Sequence, residues 1–225
     1  MKNFKIIAVT LLAVCLTTKV YSQGIVSVHF GPAIPVLDFG SGDMDDEDAG
    51  GAAVGLNIGL KYVYPLSESG IGFFGGVDFH YNGLKQGVKD DVEKFYRGLG
   101  INNADIKFYR YINVPVTAGL NFTNTVDEKV SLFANAGLAI NFLKITDMVV
   151  KANGQTVTTS MDLASNVGFR LGGGVLIDDK YSVSLDYMGL GTHDIKGRVK
   201  VLGMSQDIDV KGKIDIINLT FGVRF

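Results

Sequence analysis

From residue 24 onward, large apolar side chains recur at every second position, the repeat that sends alternate residues to opposite faces of a β-strand. Eight segments carry it: residues 26–30, 54–64, 71–81, 112–122, 130–142, 167–175, 181–187 and 217–225. In the fourth, Ile112, Val114, Val116, Ala118, Leu120 and Phe122 oppose Asn113, Pro115, Thr117, Gly119 and Asn121. A water-soluble barrel turns its large apolar face inward and a charged face outward, whereas here the second face is mostly Gly, Ala, Ser, Asn and Thr. Such a face suits a narrow polar interior, which leaves the apolar face to meet lipid. Segments of roughly nine to eleven residues, tilted, match the thickness of a bilayer. Aromatics near their ends, such as Tyr62, Tyr64, Tyr81, Phe122, Phe142 and Tyr181, suit the two interfaces. The connections alternate in length: 33–52, 83–107, 144–162 and 191–213 are long, while 65–70, 123–129 and 178–180 are short. Membrane barrels alternate long external loops with short periplasmic turns in this way. The pattern predicts an all-β fold: an eight-stranded antiparallel up-and-down transmembrane β-barrel with long external loops.

Composition sharpens this picture. Of 225 residues 47% are hydrophobic and 20% charged, which excludes whole-chain disorder. The 29 glycines fit a barrel so narrow that small side chains relieve crowding inside it. Lys2 and Lys5 precede an apolar run from Ile6 to Leu16, and Val20-Tyr21-Ser22 precedes Gln23, so residues 1–22 read as a cleaved export signal and 23–225 as the barrel domain. The run is shorter than the about 20 residues a membrane helix needs. Leu12-Ala13-Val14-Cys15 has the outline of a lipoprotein box, but Val14 stands where Gly or Ala is wanted. Cleavage removes the one cysteine, together with three lysines and no acid, taking the net charge from −2 to −5 and disfavouring nucleic acid as a partner.

The export signal, the eight segments, the strand opening Tyr111-Ile112-Asn113-Val114-Pro115-Val116 and the terminal Leu219-Thr220-Phe221-Gly222-Val223-Arg224-Phe225 together resemble the small outer-membrane β-barrel domain family, with its PorT-like and OmpX-like proteins. The resemblance covers essentially the whole mature chain. It implies a place in the outer membrane of a Gram-negative bacterium, among lipid and lipopolysaccharide. It also implies that Phe221, Val223 and Phe225 form the signal read by the barrel-assembly machinery. Roles in that family range from adhesion to pure scaffolding, and no catalytic residues carry over.

Several groups remain as candidate sites. Lys61, Arg170 and Arg224 share the inward face with Asp78, His80 and Asp186, an arrangement expected to pair into a plug because unpaired charge in a narrow lumen is costly. The connection 178–180 pairs its two strands so that Arg170 and Asp186 lie close on the lumen side, and a salt bridge is expected there. His29 and His80 are expected to hydrogen-bond Asn and Asp neighbours. Asp43, Asp45, Asp46, Glu47 and Asp48 form an acidic run that fails the calcium-loop spacing and reads as a solvated loop. Val88, Val92, Phe95 and Leu99 predict a short amphipathic helix packed on the barrel rim. Asn153-Gly154 is a preferred hairpin turn, flanked by Val149 and Val157. Val199 and Val201 with Ile208 and Val210 repeat the pattern around 202–206. These two ribbons are expected to project with free edges to which a surface protein partner could add a strand. No cofactor or metal set is expected, and with no Gly-x-Ser-x-Gly elbow an enzyme is not expected. The reading is a structural or surface-interaction barrel. Its rivals are a soluble exported barrel binding a small apolar ligand, and a membrane-embedded enzyme or small channel.

Overall fold

The computed structural model describes residues 24–43, 46, 48–66, 69–101, 103–152, 154–201 and 204–225. The export signal with Cys15, and also Asp45, Glu47 and Asn153, lie outside the described residues.

Each alternating segment forms a strand, since period-two patterning gives a strand one face for lipid or solvent and one for the lumen. The strands are β1 (Ile25–Pro35), β2 (Gly55–Pro65), β3 (Ile71–Asn82), β4 (Asp105–Lys107), β5 (Tyr111–Asp127), β6 (Val130–Ile145), β7 (Met148–Ala152), β8 (Gln155–Met161), β9 (Ala164–Ile177), β10 (Tyr181–Val201) and β11 (Met204–Arg224). Eight of them close a ring in the order β1, β2, β3, β5, β6, β9, β10, β11, every pair antiparallel. The seam joins β1 to β11, with Ser27 opposite Arg224 and Pro35 opposite Ile216. One end of the ring carries the short turns and the other the long connections, here the turn end and the loop end.

The turn end is tighter than the spacing implies: β5 and β6 run on until only Glu128 and Lys129 separate them. Between β9 and β10 the Lys180 amide donates to the Ile177 carbonyl at 3.0 Å, and both central residues, Asp178 and Asp179, have φ of 52°. Two successive left-handed residues make the type I′ turn that matches the twist of a hairpin.

The loop end departs further from expectation. The span 191–213 is mostly ladder, because β10 and β11 stay paired from the ring up to Val201 opposite Met204. On the other edge of β10 lies β8, then β7, then β4, giving a five-stranded sheet beyond the ring. A bulge between Gly189 and Gly191 separates the two parts of β10, and Gly191 has φ of 80°, a conformation natural to glycine. The extra residue switches parity: Ser184, Asp186 and Met188 are buried below it, His193 and Ile195 above.

The first long connection folds back into the mouth of the ring. Its short helix α1 (Leu37–Gly40) starts at Leu37, whose φ is 52°, and Phe39, 1% exposed, enters the interior. There Phe39 joins Ala33, Leu84, Tyr111, Leu143, Met188, Leu190, Ile214 and Ile216 in one apolar cluster. The interior is therefore polar only in part. The amide-rich face foretells the middle of the lumen, and the loop end is filled by hydrocarbon.

Helix α2 (Gln86–Gly98) forms where the apolar spacing places it, but its stripe is only partly packed. Val88 is buried against the cluster and Val92 half-buried, whereas Phe95 is 64% exposed and Leu99 also faces outward. The expected rim packing holds for the first turn alone. Along its outer side Lys94 pairs with Asp91 at 2.8 Å, and that hydrogen bond raises the ammonium above its ordinary pKa.

Candidate functional site

The middle of the lumen is built around one guanidinium. Arg170 comes from β9, Asp186 from the next strand, β10, and Asp78 from β3 on the other side of the ring. Arg170 Nε donates to Asp186 Oδ1 and a terminal nitrogen donates to Asp78 Oδ2, each at 3.0 Å. His29 Nε2 lies 2.6 Å from Asp78 Oδ1, and the Ser184 hydroxyl donates to Asp186 Oδ2 at 3.1 Å. All five residues are buried. Charge so far from water persists only when both partners and remaining lone pairs are engaged, and this network engages them.

Glycine makes the network fit. A Cβ on Gly172 would stand 2.0 Å from Asp186 Oδ1, and one on Gly59 would stand 2.4 Å from His29 Nε2. The two charged layers can touch because the neighbouring strands offer bare backbone. Lys61 and Arg224, which the sequence groups with this network, make no ion pair in it among the described residues and lie near Phe133, at 4.6 and 5.9 Å from its ring centre. His80 is fully buried and has no hydrogen-bond partner among the described residues. A second polar layer joins Asn141, which donates to Asn113 Oδ1 at 2.8 Å and lies 3.1 Å from His193 Nε2. The alternation of β10 as read from its first half would turn His193 outward, so the bulge hid it.

Beyond the ring, the hairpin residues singled out in the sequence leave only one long edge free among the described residues, that of β11. Val199 lies between Thr159 of β8 and Gln206 of β11, and Val201 between Val157 and Met204. Val157 pairs with Val150, which pairs with Ile106 of β4, so one apolar row crosses four strands. Val149, one residue along, pairs with Thr158 and Lys107 and points to the opposite face. The edges of β10, β8 and β7 are thus closed by each other, a correction to the two independent ribbons. Ile208 and Val210 pair with Gly197 and Ile195. The pairing of β1 with β11 ends where Val36 N donates to Asp215 O, and among the described residues no strand covers the outer edge of β11 from Met204 to Lys213. Gly154, at φ 75°, supplies the left-handed turn between β7 and β8.

The outer wall of the ring is hydrocarbon. Leu56 and Leu138 are each 70% exposed, and Phe30, Phe73, Leu120, Val167 and Leu185 also face outward. Phe221 and Phe225 stand on the same wall at the turn end, with Phe225 78% exposed.

No protein-family model and no curated protein sequence matches the chain. Among solved structures it is similar to Neisserial surface protein A, with 14% identity over 90% of this chain and 96% of that one and a TM-score of 0.47. It is also similar to the outer membrane protein OprG of Pseudomonas aeruginosa, with 14% identity over 91% and 97% and a TM-score of 0.49. Ail, the attachment invasion locus protein of Yersinia pestis, gives 19% identity over 90% and 99% and a TM-score of 0.41. These neighbours are small outer-membrane β-barrel proteins. The eight-stranded ring itself stands on the strand pairings above.

Proposed function

We propose that the protein is an integral outer-membrane barrel of a Gram-negative cell whose work is done on its outer face, as a scaffold or as the receptor for a surface protein. The carrying observation is the continuous wall of exposed leucine, isoleucine, valine and phenylalanine around the ring, far more apolar surface than water tolerates on a soluble monomer. The Arg170 network across the lumen and the apolar cluster at its loop end support a role other than a wide pore. Placed so, the loop end with the five-stranded sheet faces outward, and Phe221, Val223 and Phe225 lie at the periplasmic end, where the assembly machinery meets its clients. The PorT-like relationship and contacts with lipopolysaccharide belong to this reading. A partner strand would add along the outer edge of β11, the one long edge of the sheet left open among the described residues.

Cell fractionation followed by electrophoresis with and without boiling tests the first part. The chain is expected in the outer-membrane fraction, migrating differently when unheated, and recovery in the soluble periplasm would overturn the reading. Asp209→Pro, which removes an N–H on the open edge rather than one bonded to β10, is expected to abolish capture of a cross-linked surface partner while heat-modifiability persists. Partners unchanged by that substitution would leave the scaffold role alone.

A further inference from the structure

At the loop end the five-stranded sheet and the folded-back first connection enclose a cavity of about 240 Å³ that the outer-membrane reading does not use. Its wall on one side is aromatic. Phe39 meets Tyr111 edge to face, with ring centres 5.0 Å apart, and Tyr111 meets Tyr109 in the same way at 5.4 Å. The Tyr111 hydroxyl donates to the Gly50 carbonyl at 2.6 Å, which locks the middle ring to the first connection. Met148, Met161 and Ile195 also line it, together with Thr159 and Val210 of the sheet. The wall is thus pre-formed by packing inside the apolar cluster rather than by a mobile surface.

We propose that this cavity is a binding site for a small neutral aromatic molecule presented from outside the cell. Size sets the first limit. An apolar cavity of about 150 Å³ holds benzene, so this one suits a single ring with a short substituent or a two-ring compound. Chemistry sets the second. Ring edges and faces of two tyrosines and a phenylalanine complement another aromatic quadrupole, and thioether sulfur at Met148 and Met161 adds favourable contact with a ring edge. Charge sets the third. The lining cations already have counter-charges: Lys213 lies 3.6 Å from Asp38 and 3.7 Å from Asp215, and Lys211 lies 3.9 Å from Asp194. Asp48, on the rim, is exposed and its charge is solvated, so the buried lining selects neither an anion nor a cation. Below it Leu143, Met188, Leu190 and Ile216 fill the lumen, which makes the site a receptacle at the mouth and not a stage of passage through the ring.

The test uses the refolded barrel in lipid nanodiscs with ¹³C-methyl methionine, titrated with indole. Met148 and Met161 line the cavity, while Met188 lies in the cluster beneath and Met204 at the sheet tip. Saturable shifts of the Met148 and Met161 methyls are expected, half-complete at or below about 1 mM, with Met204 unmoved. Thr159→Trp fills the cavity from the sheet side and is expected to weaken indole at least about tenfold, while an unchanged Met188 methyl reports an intact barrel. Should that variant lose the Met188 signal, Thr159→Leu takes its place with the same expectation of weakened binding. Shifts that grow linearly, that include Met204 equally, or that survive cavity filling would overturn the site. Tighter binding of benzoate than of indole would overturn the neutral class.

Discussion

Arg170 holds two carboxylates from opposite sides of the lumen, so the three positions are not equivalent. Arg170→Ala would strand Asp78 and Asp186 together in a buried setting, whereas Asp186→Ala leaves the guanidinium its bond to Asp78. Breaking a buried pair by removing the shared partner costs about 3–5 kcal/mol, and losing one charged hydrogen bond about 1.5–3 kcal/mol. Denaturant unfolding in detergent is expected to rank Arg170→Ala as clearly the more damaging, and equal midpoints for the two would show that Asp78 does not share the load. The meeting of Arg170 with Asp186 is legible in the sequence, since a three-residue turn joins their strands and parity puts both inside. Asp78 lies 92 residues from Arg170 and reaches it across the bore, a contact that depends on how wide the ring closes and on Gly59 and Gly172 being bare.

Two backbone devices shape the strands. Asp178 and Asp179 both occupy left-handed geometry, which Asn and Gly adopt more readily. Replacing the pair by Asn-Gly is expected to stabilise the hairpin by about 0.5–1 kcal/mol, seen as a higher thermal midpoint of the heat-modifiable form. The bulge at Gly191 works in the other direction: a Cβ there would lie 2.4 Å from Asn166 Nδ2, on a residue at φ 80°. Gly191→Val is expected to lose about 1–3 kcal/mol from strain, and to disturb His193 and Ile195 before Asp186, measured by amide exchange along β10. Alternation is written locally in the eight ring strands, away from the bulge. The bulge is not, because Gly189-Leu190-Gly191 resembles the crowding-relief glycines elsewhere until the partner strand shows which register β11 keeps. Val199 and Val157 were likewise recognisable as strand residues, but nothing local says that β8 docks on β10 and closes its edge.

At the scale of the molecule, two ends of different character follow from the alternation of short turns and long connections. A protease needs several residues of unpaired chain, so ladder-bound Lys151, Arg198 and Lys200 are poorer targets than their place at the loop end suggests. Trypsin on intact cells is expected to cut first at Lys94 or Arg97 in α2, whose far half is unpacked, and to spare Lys129 and Lys180 at the opposite end; early cleavage at Lys180 would reverse the orientation. The loop-end stopper formed by Phe39 leans on the last strand, through Val36 to Asp215 and Asp38 to Lys213. Val36, Asp38 and Phe39 follow the first strand of the ring, yet part of their seat is β11, which lies across the seam and is brought to them only when β1 and β11 meet. Without that closure Phe39 keeps Tyr111 and Leu84 but lacks Ile214 and Ile216, so a ring open at the seam displays greasy side chains at its mouth. A finished one hides them, and the same few residues that stopper the ring also mark whether it has matured.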